Sequence, residues 1–471
     1  MIPSRTAALE RALCYFDSGA FRDDLARRVA YRTESQEPAQ APSLRAYLGD
    51  EVAPSAARLG FHCTIVENDA HGPMLIGERH EDPSLPTLLT YGHGDVVRGY
   101  DRQWRMPLVP WSLTIEGDRW YGRGTADNKG QHSIVLGALA SAIEARGGRL
   151  GYNVKLLVET GEEVGSPGLH EVCRLHRDEL RSDVLIASDG PRISAGRPTI
   201  FLGSRGCVNF LLSLRLRDGA HHSGNWGGLL ANPATILAHA LAGMIGPRGT
   251  IEVDALRSPP LPDAVRRALA GVRIGGDEGD PDIDRTWGEP GLSPSERVFG
   301  ANTLEVLAFK AGNPDNPVNA IPPSATAHCQ LRFVVGTDWR NLARHVRLHL
   351  AARGLEAIDV EVLQASAATR LSPDDPWVRF AVASLERTTG KLVAVLPNLG
   401  GTLPNDAFAD ILGLPTIWIP HSYPGCSQHA PGEHLLGSVA REGLLMMAGL
   451  FWDFGDGEAA RLSSGRPGGA R

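Results

Sequence analysis

Short β-type runs alternate with helix-length apolar patterns in the first two hundred residues, and this alternation leaves few folds open. Residues 85–91 (LPTLLTY) form a strand-like run closed by Gly92. Over 129–146, Ile134, Leu136, Leu139 and Ile143 recur at helical spacing and stop at Gly147-Gly148. Residues 153–159 (NVKLLVE) read as a strand, 168–176 as a helix and 183–187 (DVLIA) as a buried strand. Near the end, 414–419 (LPTIWI) and a long helix over 433–451 repeat the pair. The pattern predicts an α/β fold, a mixed, mostly parallel sheet covered by helices.

The middle of the chain differs. Residues 206–217 (GCVNFLLSLRLR) and 324–335 (SATAHCQLRFVV) show the period of two of half-exposed strands. Helical patterns at 232–246 and 339–352 and a strand at 358–363 accompany them, while Gly/Pro/Asp-rich 273–294 reads as an insertion. Strands packed on one face by two helices predict a smaller α+β domain. We place it at 204–365, inserted into a larger domain made of 1–203 and 366–454. The Gly/Ser/Arg-rich tail, 455–471, is expected to be disordered.

Composition removes several function classes. The 471 residues carry 47 Lys plus Arg against 54 Asp plus Glu, a formal charge of −7 without a basic run. That balance argues against nucleic acid as a partner. No apolar stretch approaches the roughly 20 residues of a membrane span, and residues 1–20 do not read as a secretory signal. Cys14, Cys63, Cys173, Cys207, Cys329 and Cys426 lie far apart without CxxC spacing. Neither a disulfide framework nor a thiolate zinc site is expected, and the compartment reads as cytoplasmic.

Five segments place acids or histidine at the carboxyl end of an expected strand or in the loop after it, the edge where open α/β sheets bind ligands. They are TYGHGD (His93, Asp95), RGTADNKG (Asp127), ETGEEVGS (Glu162, Glu163), ASDG (Asp189) and SQHAPGE (His429, Glu433). Singly, each has a plain reading as a turn, a helix cap or a solvated acid. Gathered at one edge, they would be an excess of negative charge that cations must neutralise. Oxygen and imidazole ligands without thiolate fit zinc, with manganese or cobalt as substitutes. Four or five ligands exceed the about three protein ligands of one catalytic zinc, so a pair of ions fits better. Asp95, two residues beyond His93, is placed to accept the other imidazole N–H. Adjacent Glu162 and Glu163 can divide two tasks, taking a proton from water and holding an ion.

These motifs in this order (GHGDVV, GRGTADNKG, ETGEEVGSPG, SDG and a late HxPxE) resemble the M20 family of metallopeptidases, from about Ser43 to Trp452. That family includes carboxypeptidases, carnosinase-type dipeptidases, aminoacylases and deacylases. The resemblance implies a bridging Asp127, one ion completed by His93 and Asp189, and another by Glu163 and His429. It further implies Glu162 as general base, Asp95 as the partner of His93, and a cis Asp127–Asn128 bond. The inserted domain resembles the family's lid and dimerisation domain. HHSGNWGG resembles the segment whose histidine, here His222, reaches the active site of a second subunit. NPVNAIPPSATAHCQLRFVVGTD and GGTLP resemble the dipeptidase branch, with Asn319, Arg332, Gly401 and Thr402 at the substrate. One departure is Gly432 in HAPGE, where Asn is frequent. The resemblance implies hydrolysis of an amide or peptide bond in a dipeptide or N-acyl amino acid by a homodimer. The alternatives are an amidohydrolase acting on a non-peptide C–N bond and a non-catalytic binding homologue.

Overall fold

The computed structural model describes residues 3–276 and 281–464. Its main sheet has eight strands in the order His62–Val66, Met74–Arg79, Asn153–Glu159, Thr87–His93, Val184–Ala187, Thr416–Trp418, Thr199–Phe201 and Ala394–Leu396. Asn153–Glu159, Thr87–His93, Val184–Ala187 and Thr416–Trp418 run parallel, so their carboxyl ends open on one edge. Antiparallel pairs flank this parallel centre, giving the mixed, mostly parallel sheet that the alternation predicts.

Side chains alternate between two cores, as a sheet covered on both faces requires. Leu88, Val154, Val184 and Ile417 join one core with helices Arg5–Asp17, Lys129–Ala145, Pro376–Thr389 and Gly437–Phe454. Leu89, Tyr91, Leu157, Leu185 and Trp418 face the other, against helix Leu169–Leu175 and the turn Ala407–Ile411. The helix expected from 433 begins instead at Gly437. His434–Leu436 pairs with Arg119–Tyr121 as a strand, and Asp118 accepts the N–H groups of Gly437 and Ser438 at 2.7 Å each. Nor is the whole tail irregular. Glu458–Ser464 is a helix, because Ala459 and Leu462, one turn apart, pack onto the main core. The remainder of the expected disordered tail, 465–471, lies outside the described residues, as does 277–280 of the 273–294 section.

A second, antiparallel sheet has the order Thr303–Ala311, Ser324–Phe333, Gly206–Arg215, Asp359–Ser366. Ser324–Phe333 buries alternate residues, and Val208, Phe210, Leu331 and Phe333 form a core with helices Pro233–Met244 and Leu342–Ala351. Thr303–Ala311 (TLEVLAFKA) does not alternate cleanly and has no counterpart in the sequence reading. It forms the sheet edge, with a register shift between Val306 and Ala308. Among the described residues no helix is long and apolar enough to cross a membrane.

Candidate metal centre

The ends of the parallel strands deliver the first polar side chains. His93 ends Thr87–His93 fully buried, with Nε2 2.9 Å from Oδ1 of Asp127 and 3.8 Å from Oδ2 of Asp189. Its Nδ1 lies 3.0 Å from the Asp95 carbonyl and 3.3 Å from Asp95 Oδ1. The Asp95 carboxylate also accepts the N–H groups of Glu162 and Glu163, at 3.2 and 3.0 Å. One acid therefore orients the His93 ring and the loop that follows Asn153–Glu159. Asp189 follows Val184–Ala187, and its Oδ1 accepts the N–H of Gly190 at 2.6 Å.

Asp127 sits in the turn before helix Lys129–Ala145, and the Asp127–Asn128 bond is cis. A Cβ at Gly130 would lie 1.9 Å from the Thr125 carbonyl oxygen, so only glycine lets this turn fold back onto the helix start. Asn128 donates to the Ser188 carbonyl at 2.9 Å, tying the turn to the Asp189 strand. Asp127 Oδ2 meets Nε2 of His429 at 3.0 Å and is also bonded by the Gln428 amide. The same His429 nitrogen is 3.1 Å from Oε2 of Glu163. His429 adopts a left-handed backbone (φ 62°) and is the exposed member of the group.

The side chains form two triads with Asp127 in common, His93–Asp127–Asp189 and Asp127–Glu163–His429. In each, one ligand atom per residue lies within 4.8 Å of the others. Glu162 stands beside them, with Oε2 4.0 Å from His93 Nε2. Their charges conflict. Burial first, then Asp127, lifts Asp189 to about 6 and Glu163 to about 7. Glu162 stands well above the ordinary carboxylate value through burial and its acidic neighbours. Burial opposes a charged His93, yet its bonds to Asp127 and Asp95 hold its pKa well above the usual one. Asp127 and Glu163 raise His429 to about 11. Without cations, then, the cluster must hold protons to limit its repulsion. Asp189 Oδ2 and Glu163 Oε1 are buried with no hydrogen-bond partner. Orphaned carboxylate oxygens, two imidazoles and no thiolate fit a pair of divalent cations.

The other candidate residues fall into two groups away from the triads. His222 pairs with Ala320 in a two-stranded ribbon, and the N–H of Ser223 bonds the Asn319 carbonyl at 2.9 Å. His222 is exposed, and its Nδ1 accepts the N–H of Gly224 at 3.2 Å. No hydrogen bond or ion pair among the described residues joins it to the triads. Arg332, on Ser324–Phe333, donates from Nη1 to Thr402 Oγ1 at 2.6 Å and from Nε to Gln330 at 3.0 Å. Thr402 in turn donates to the Arg205 carbonyl at 3.0 Å, and Arg205 Nε bonds the Gly400 carbonyl at 2.9 Å. Gly401 lies against Leu399, whose side chain also borders Gly190 beside Asp189. The sequence reading did not single out Arg205. Burial and the nearby Arg332 lower its pKa to about 10, and among the described residues neither arginine has an acidic partner within ion-pair distance. Its segment, GSRGCV, carries no signal of that pairing. Gln428 and the contacts of Glu433 are also additions from the structure.

Fold and candidate ligand groups together are those of a metallopeptidase type of hydrolase. Residues 89–453 match Peptidase family M20/M25/M40, and the chain belongs to this family. It is 26% identical over 362 residues to a cysteinylglycine-S-conjugate dipeptidase of Corynebacterium striatum, covering 73% of this chain and 74% of that one. It is 31% identical over 273 residues to the Beta-Ala-His dipeptidase of Homo sapiens, covering 55% of this chain and about half (53%) of that protein. The fold is similar to that of the M20 family metallo-carboxypeptidase Sso-CP2 from Sulfolobus solfataricus, with a TM-score of 0.79 at 23% identity over 92% of this chain and 99% of that one.

Proposed function

We propose that the chain is a metal-dependent hydrolase that cleaves an amide or peptide bond in a small substrate, a dipeptide or an N-acyl amino acid. The observation that carries this reading is the pair of triads sharing Asp127, with the Glu162 carboxylate beside them. His93, Asp127 and Asp189 would hold one divalent ion and Asp127, Glu163 and His429 the other, with zinc favoured and manganese or cobalt as substitutes. When bound, such ions supply Lewis acidity toward water and the scissile carbonyl. Glu162 then takes a proton from the attacking water and passes it to the leaving amine. Asp95 fixes the His93 ring and the 162–163 backbone in register for this transfer.

Residues 204–365 form the lid in this reading. Arg332 and Arg205, which among the described residues have no acidic partner within ion-pair distance, receive the free carboxylate of the substrate, and Asn319, Gly401 and Thr402 shape the same end. His222 of a second copy supplies a donor to the developing oxyanion. Homodimerisation is supported by the edge strand Thr303–Ala311, which exposes Val306, Leu307 and Phe309. The reading assigns the chain to the cytoplasm, in keeping with its widely spaced cysteines.

The test is a released-amine screen of dipeptides and N-acyl amino acids on protein whose metal content has been quantified. Turnover of dipeptides that weakens in Arg332→Ala, through a rise in KM of about 10- to 100-fold, supports a carboxylate-reading dipeptidase. A KM unmoved by that change, with N-acyl substrates preferred, points to a deacylase. No release of amine from either class overturns the reading.

A further inference from the structure

The buried ion pair of Arg123 and Glu433 takes no part in the chemistry above, yet it lies where two distant stretches of chain meet. Both side chains are about 1% exposed. Glu433 Oε1 accepts the N–H groups of Gly124, Ala126 and Asp127 at 3.0, 3.0 and 3.1 Å. Its Oε2 accepts Nη1 of Arg123 at 2.6 Å. The same guanidinium donates from Nη2 to the Ala430 carbonyl at 3.2 Å, and the N–H of Gly122 donates to the Glu433 carbonyl at 3.1 Å. A charged oxygen facing three backbone N–H groups makes hydrogen bonds stronger than neutral ones. These bonds orient the peptide that carries Asp127, the residue both triads share. The 428–433 loop they anchor carries His429, which has an unusual left-handed backbone and lies 3.0 Å from Asp127. Arg123 and Glu433 thus tie the turn that carries Asp127 to the loop that carries His429, roughly 300 positions further along the chain.

We infer that Glu433, held by Arg123, is a positioning residue that sets Asp127 against His429 and so assembles the second triad. The inference rests on the two-ion reading above. It predicts a defect in ion binding, because the ligands themselves are untouched and only their spacing is released. Loss of such an outer hydrogen-bonding partner typically weakens metal affinity by about 10- to 100-fold.

The test is zinc binding by calorimetry to the full chain, stripped of metal, for wild type, Glu433→Gln and Glu433→Ala. Amide hydrogen exchange is followed on the same metal-free proteins. Wild type is expected to bind two zinc ions. Glu433→Gln should bind one of them at least about tenfold more weakly, and Glu433→Ala, which also loses the acceptor oxygen, more weakly still. Exchange should quicken together in 122–128 and 428–433 while the strands keep their protection. Glu433→Ala strands the Arg123 charge, so where it fails to fold the Arg123→Met/Glu433→Gln pair, which leaves no buried charge, carries the comparison. Two ions bound with wild-type affinity by Glu433→Gln or by the pair would overturn the positioning role alone. A general loss of protection across the sheet would reduce Glu433 to a fold-stabilising group and also overturn it. A wild-type chain that does not take two ions would instead overturn the two-ion reading, and the inference with it.

Discussion

The carboxyl edge of the eight-stranded sheet and the antiparallel region of residues 204–365 hold their polar residues in opposite ways. At the first, His93, Asp95, Asp127, Glu162, Glu163, Asp189 and His429 converge through contacts of 2.9 to 4.0 Å, mostly buried. At the second, His222 stands exposed on a two-residue ribbon, with Asn319 exposed just before its partner strand, and Arg332 reaches across to Thr402. The first region is held together by the core, with its carboxylates crowded against one another. In the proposed function the second is a set of donors whose counterpart arrives, as substrate or as a second copy of the chain. Rigid strand ends suit ligands that must keep fixed distances, and a lid suits groups that must close on a substrate.

The hardest blow to the first region is Asp127→Ala. It removes the ligand common to both triads, so bound zinc should fall below one per chain by elemental analysis and amine release should drop to background. Two ions retained would break the bridge. Glu162→Gln should separate chemistry from assembly, cutting kcat about 10²- to 10⁴-fold with both ions still bound. Next comes the second region. His222→Ala should lower kcat about 10²-fold without loss of metal. Mixing it with the Asp127→Ala protein should restore part of the activity, because each mixed dimer joins an intact centre to an intact His222. No recovery on mixing would confine His222 to its own chain.

The smallest expected effect is thermal. Glu163 titrates at about 7 in the folded chain against an ordinary 4.5, burial being the main cause. A carboxyl that binds its proton more tightly when folded stabilises fully below the unfolded value and loses that stabilisation as pH rises through the folded one. Metal-free Glu163→Gln should therefore gain melting temperature over metal-free wild type between about pH 5 and 8, and the gain should vanish near pH 4. With zinc present the order should reverse, since the variant gives up a ligand. Parallel melting curves at every pH would contradict the account of crowded charge.

Much of the centre is legible in the sequence because its residues carry local signals. His93, the Glu162-Glu163 pair and Asp189 each follow an apolar run and neighbour a glycine, so strand ends and acids coincide in short segments. The two strands 206–215 and 324–333 show a period of two that burial on one face imposes. Thr303–Ala311 escapes because an edge strand with exposed Val306, Leu307 and Phe309 has no polar face to alternate with. Helix Glu458–Ser464 escapes because two apolar residues in a Gly-rich tail are too few to register as a pattern. Glu433 shows the limit most clearly. Apart from Arg123, the partners of its carboxylate are backbone N–H groups of Gly124, Ala126 and Asp127, and no residue type marks them in advance.

In the proposed function, crowded carboxylates and imidazoles coexist at this sheet edge because two dications lie among them. Anomalous diffraction at the zinc absorption edge, from crystals grown with zinc, reads this directly. The account predicts two peaks, one bounded by His93, Asp127 and Asp189 and the other by Asp127, Glu163 and His429. A single peak, or peaks away from Asp127, would contradict it.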